Sequence, residues 1–180
     1  MEETAHIIKV ETSRRGTAQE KEADSYVAID LETTGLDPKH DKIIEIGAVL
    51  VIDGEIKETF STFVNPRREL DGRIRELTGI TGEMTAGAPD IGDVIGRVVE
   101  FCRDLPLLGH HIIFEYSFLK RAAVNKGLVF EKSGIDTLTL CRRFMPEEKK
   151  KNLENASRYY GIKQTDAHRA LADALTAHLL

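Results

Sequence analysis

The chain has 180 residues and a formal net charge of −5, from 25 Lys and Arg against 30 Asp and Glu. With 41% hydrophobic and 31% charged residues it can bury one core, which excludes wholesale disorder and leaves little room for two. No apolar run approaches the ~18 residues of a membrane-spanning helix, and no export signal opens the chain, so the expectation is a cytoplasmic protein with no membrane contact. A nonspecific duplex-DNA binder is usually basic, so any nucleic-acid chemistry here has to be local or use cations supplied by metal ions. Cys102 and Cys141 lack metal-site spacing and read as reduced thiols.

Residues 1–24 are polar and mixed in charge, and read as a flexible arm with a strand hint only at His6-Ile7-Ile8-Lys9-Val10. The domain is expected over 25–180. Tyr26 to Asp30 is a short apolar run ending in an acid, as in a buried strand. Thr33 to Asp41 reads as a loop. Ile43–Ile52 and Glu55–Val64 flank Asp53-Gly54, the strongest short hairpin signal. Residues 66–89, punctuated by Gly72, Gly79, Gly82, Gly87 and Pro89, read mostly as loop with one helical turn.

Asp90 is placed to cap a helix carrying Ile91, Val94, Ile95, Val98, Val99 and Cys102 at helical spacing. Leu105 to His110 reads as a buried strand, and Ile113 to Lys126 as a helix stopped by Gly127. Ile135-Asp136-Thr137 leads into a short helix through Arg143. Asn152 caps a helix ending at Gly161, and Asp166 is expected to cap the last one through Leu180. Strands first, then helices interleaved with single strands, predict an α/β domain with a mixed central sheet flanked by helices. Its first three strands form an antiparallel meander. A Rossmann reading fails because a hairpin follows the first strand and no G-x-G-x-x-G occurs.

Three places bear chemistry. Asp30 and Glu32, two apart on a strand, share one face. They are either a solvated strand end or two ligands that need a cation between them. His168 and Asp173 lie around the last helix. Five residues turn a continuous helix by about 140°, so both reach one point only if His168 sits in a frayed first turn. Glu115 lies in the first turn of its helix, where the helix dipole favours an acid, or is held partly out of water by Phe114, Phe118 and Leu119.

Together, AIDLETTGLDP at 28–38, LLGHHIIFEYSFL at 107–119 and AHRALADA at 167–174 resemble the three motifs of the DEDDh 3′–5′ exonucleases. That group includes the proofreading exonucleases of bacterial DNA polymerase III. The resemblance implies a ribonuclease H-like fold over roughly 25–180 and two-metal phosphodiester hydrolysis at the 3′ end of DNA. The products would be nucleoside 5′-monophosphates, released in proofreading or repair. It implies two Mg²⁺ or Mn²⁺ ions held by Asp30, Glu32, Glu115 and Asp173, with His168 as the general base. Hard divalent cations prefer carboxylate oxygen, and histidine suits proton transfer near neutral pH. Thr33, Thr34, Gly35, Leu36, His110, His111 and Phe114 match positions that contact the terminal nucleotide.

The implied partners are single-stranded or frayed 3′ DNA ends, with RNA as an alternative, and a DNA polymerase. Other outcomes of the same resemblance are an exoribonuclease or oligonucleotidase, or a degenerate domain that only binds nucleic acid or polymerase. The family's usual aspartate in the middle motif is Glu115 here, and its usual asparagine is His111. Basic residues at Arg67-Arg68, Arg73, Arg75, Arg142-Arg143 and Lys149-Lys150-Lys151 are either a solvated face or a path for a strand, with 149–151 the best placed for phosphate.

Overall fold

The computed structural model describes residues 24–180, together with the strand segments 8–10 and 20–22. Most of the expected arm over 1–24 therefore lies outside the described residues. Within it, β1 (Ile8–Val10) and β2 (Glu20–Glu22) pair antiparallel, with Ile8 opposite Glu22.

The main sheet is built on β3 (Tyr26–Thr33), β4 (Ile43–Ile52) and β5 (Glu55–Phe63). β3 pairs antiparallel with β4, and β4 with β5. The β4–β5 turn is Asp53-Gly54, with φ of 53° and 75°. Two adjacent positive φ values suit the right-handed twist of a tight hairpin, which is why Asp-Gly stands there. Two short strands, β6 (Leu107–Gly109) and β7 (Gly134–Asp136), add parallel to β3, giving the order β5-β4-β3-β6-β7. The expected mixed sheet and antiparallel meander are therefore found.

Alternation along β3 splits the core. Val27, Ile29 and Leu31 face one way, into a cluster with Val94, Ile95 and Val98 of α3 (Ile91–Cys102) and Phe118, Leu119 and Ala123 of α4 (Ile113–Asn125). Tyr26 and Ala28 face the other way, against Ala174 and Ala177 of the last helix, which spans Ala170–Leu179. β4 is covered on both faces, so it reads as an apolar run broken only by Glu45 and Gly47. β5 is the exposed edge, guarded by Glu55, Lys57 and Glu58. Both cysteines are free and buried, and burial pushes the Cys102 thiol up to about 12. Among the described residues no helix is long and apolar enough to cross a membrane.

Four expectations need correction. Residues 66–89 hold two short helices, α1 (Gly72–Thr78) and α2 (Gly82–Ala86). Asp71 and Thr81 cap them, and Leu70 and Ile80 bury against Ile44, so local caps and a small apolar cluster offset the glycines. The strand expected over 105–110 shortens to 107–109. Asp90 precedes α3, but its carboxylate makes no capping bond and accepts instead from Arg67, at 2.6 and 2.9 Å. Asp166 does not cap the last helix: it has φ 50°, and the helix begins at Ala170. The remaining helices follow their caps. Asp136 accepts from Leu138 N–H to start α5 (Thr137–Phe144), and Asn152 from Asn155 N–H to start α6 (Leu153–Tyr159). The last helix is α7.

Candidate active site

Asp30 and Glu32 project from β3 on the face that α7 covers. Their neighbours across the ladder are Gly47 and Glu45 of β4. Each has a distinct role in seating α7. A Cβ at Gly47 would stand 2.1 Å from the backbone nitrogen of Leu171 and 2.2 Å from the carbonyl carbon of Ala170. Only a glycine lets the first turn of α7 lie directly on the sheet. Glu45 is 2% exposed and accepts from Arg169 Nη2 at 2.8 Å, from Arg169 Nε at 3.2 Å and from the Ala170 N–H at 3.1 Å. The Arg169 guanidinium also lies 5.3 Å from the centre of the Phe63 ring. Sheet and helix are thus pinned together beside Asp30 and Glu32.

Asp173, in the first turn of α7, is buried on this side. It accepts from Gln164 Nε2 at 2.7 Å and from the backbone N–H of His168 at 3.1 Å. His168 itself is exposed and stands outside the helix with φ 63°. The frayed first turn expected for it is therefore a left-handed turn before α7, tied back to Asp173. Glu32, His168 and Asp173 each offer a ligand atom within 4.8 Å of the others, a grouping that could hold a metal ion.

Glu115 reaches the same end of the sheet by another route. β6 runs parallel beside β3, and α4 starts four residues after it, so the first turn of α4 stands at the C-terminal ends of both strands. Glu115 is 4% exposed, and its Oε2 is buried without a hydrogen-bond partner among the described residues. Burial pushes its carboxyl up to about 8, with the Asp136 charge adding to the effect. Glu32 also rises to about 8, through burial first, then Asp173 and Glu45, with Arg169 opposing. Asp30, half-buried, lies well above the carboxylate range, through removal from water first and then through the charges of Glu115, Asp173, Glu32 and Glu45. Burial raises Asp173 too, against the Gln164 and His168 hydrogen bonds.

Acids that depress one another's ionisation need protons or a cation. The donor set, carboxylate oxygens with one imidazole and an orphaned Oε2, fits a divalent metal.

The other candidate residues line the surroundings. Thr33 Oγ1 donates to the Gly35 carbonyl at 2.6 Å. Thr34 Oγ1 accepts from Lys42 N–H at 2.9 Å and is bound by Arg68. Gly35 closes onto Asp41, and Leu36 stands 84% exposed at the tip. Phe114 is half-buried, its ring 4.9 Å from that of Phe118. His111 is exposed, with φ 89° and its N–H on Asp136 Oδ1 at 2.9 Å. His110 turns inward, and both ring nitrogens are engaged: Nδ1 with Thr137 Oγ1 at 2.9 Å and Nε2 with the Lys151 carbonyl at 2.6 Å. Burial lowers its pKa despite the Lys151 bond.

Sequence reasoning missed Gly47, Glu45, Arg169 and Gln164. The first two carried a signal, since a lone glycine and a lone acid interrupt the apolar run of β4.

The fold that carries these acids belongs to a class of nucleases. The chain is a member of the RNase_T exonuclease family, whose model matches residues 27–180. Among its relatives, it is 41% identical over 158 residues to the PolC-type DNA polymerase III of Clostridium perfringens, covering 87% of this chain and 11% of the polymerase. It is 37% identical over 157 residues to the DNA polymerase III subunit epsilon of Aquifex aeolicus, covering 86% of this chain and 78% of the subunit. The fold also matches E. coli exonuclease I, solved in complex with a dT13 oligonucleotide. That match has a TM-score of 0.75 and 17% identity, over 87% of this chain and 40% of that one. The chain thus spans about a tenth of the PolC-type polymerases and most of the epsilon subunit.

Proposed function

We propose that the chain is a metal-dependent 3′–5′ exonuclease that hydrolyses the terminal phosphodiester of DNA and releases nucleoside 5′-monophosphates. The observation that carries this reading is the meeting of Glu32, His168 and Asp173 within 4.8 Å, with Asp30 and Glu115 beside them. Asp30, Glu32, Glu115 and Asp173 would hold two Mg²⁺ or Mn²⁺ ions, which supply Lewis acidity toward the attacking water and neutralise charge at the departing 3′ oxygen. His168 accepts the water's proton, and among the described residues no hydrogen bond ties up its ring. Water oxygen bonds to phosphorus as the P–O3′ bond breaks. Thr33 to Leu36, His111 and Phe114 hold the terminal nucleotide, and His110 fixes the loop that carries His111. The polymerase III relatives support proofreading beside a DNA polymerase.

The test is a 5′-labelled single strand incubated with Mn²⁺. A ladder shortening from the 3′ end is expected, and Asp30→Asn or Asp173→Asn should abolish it while leaving the folded circular dichroism spectrum. Metal-dependent turnover that survives both changes removes the reading. Matched DNA and RNA strands then establish the sugar preference.

A further inference from the structure

On the β7 side of the acids lies an open cleft of about 560 Å³, lined by His110, Leu138, Arg142, Lys149, Lys151 and Asn152. Three of the six lining residues are cations and none is a carboxylate. Leu138 and Arg142 are four residues apart on α5 and therefore share a helix face. Among the described residues neither Arg142 nor Lys149 has an acid within ion-pair distance. Lys151 spends its ammonium on the Glu148 carbonyl, a bond that leaves its charge uncompensated. Glu147 and Glu148 precede the lysine run but do not line the cleft.

The cleft is fixed in place. His110 bonds the Lys151 carbonyl through Nε2 and Thr137 through Nδ1, clamping the lysine segment to the start of α5. His110 directly follows β6, which pairs with β3, the strand bearing Asp30. Basic cleft and acid cluster therefore stand side by side at the C-terminal edge of one sheet, in a chain of net charge −5.

We infer that this cleft is a second subsite, which holds the phosphodiester backbone of the nucleic-acid strand upstream of the terminal nucleotide. The inference rests on the exonuclease reading for where the 3′ end lies. Backbone phosphates are the repeating anions that such a row of unpaired cations fits, whatever the bases. The acids repel a strand until metal neutralises them, whereas the cleft attracts it at all times. The cleft thus supplies the standing affinity, and it should register the length of the strand.

The experiment measures fluorescence anisotropy of oligothymidylates of increasing length in EDTA, over a salt series. Wild-type affinity should climb with length. The triple variant R142A/K149A/K151A should flatten the climb, weaken binding on the order of 10- to 100-fold and lower the salt slope by about 2, at ~0.7 per phosphate for a single strand. A control, R97A/R121A/K126A, removes the same charge from the α3–α4 side and should keep the climb. A length dependence unchanged in the first triple, or lost equally in both, overturns the subsite. Hydrolysis of a thymidine dinucleotide by wild-type protein with Mn²⁺ reports on the exonuclease reading separately. If that hydrolysis occurs while affinity ignores length, the subsite alone falls; if neither is seen, both do.

Discussion

Gly47 of β4 and Leu171 of α7 are in backbone contact: a Cβ on the glycine would stand 2.1 Å from the leucine nitrogen. The obstacle is main chain, which cannot rotate away. Gly47→Ala should therefore lift the start of α7 off the sheet and carry Asp173 with it. Overpacking of this kind costs about 1–3 kcal/mol or more. Urea denaturation should show the loss, and Mn²⁺ affinity should fall with it. A variant as stable as wild type would show that α7 has another resting position.

Glu45 and Arg169 form the lock beside that contact. Arg169→Ala leaves a carboxylate that is 2% exposed with the Ala170 N–H as its remaining partner. Stripping one member from a buried pair costs about 3–5 kcal/mol, and the 41% exposed Arg169 side chain brings the expected loss toward about 2 kcal/mol. Glu45→Gln keeps the shape and one acceptor, so it should cost less. The order of the two variants in a urea titration checks the assignment.

Stability of the metal-free protein should fall as pH rises. A carboxyl whose folded pKa exceeds its unfolded value binds a proton more tightly in the folded chain. Its stabilising contribution is complete below the unfolded value near ~4 and is gone once pH passes the folded value, about 8 for Glu32 and Glu115. In EDTA, Tm should drop between pH 5 and 8. Mn²⁺ should restore it, and by more at pH 8 than at pH 5.5, because binding displaces protons. A flat Tm profile in EDTA would contradict the crowding of these acids.

Glu115→Gln should stabilise the metal-free protein at pH 8. The change removes a charge from a site 4% exposed, where Oε2 has no partner among the described residues. The expected gain is about 1–3 kcal/mol, or roughly 3–10 °C in Tm. The same variant should lose most of the Mn²⁺-induced rise. A loss of stability without metal would mean that Glu115 serves the fold rather than a cation.

What the chain reveals before folding divides along the range of the interactions. β3, β4 and the Asp53-Gly54 hairpin are written in local pattern, and so is the cap Asn152. Residues 66–89 mislead because glycines argue for loop, while Ile80 and Leu70 find Ile44 only in the fold. Asp166 has the chemistry of a cap, yet Glu45, far away in sequence, takes the first N–H of α7 instead. The acids themselves were legible as types at spacings. That Glu32 and Asp173 lie within reach of one ligand depends on Gly47, whose importance is visible only once α7 rests on it.

Asp173 arrives on the final helix, whereas Asp30 and Glu32 arrive on the first long strand. On the proposed reading, a chain that has not yet delivered α7 holds Asp30, Glu32 and Glu115 but lacks Asp173, so its hydrolytic centre is incomplete. Competence comes only when α7 docks on the sheet, so the topology itself withholds hydrolysis until that helix is seated.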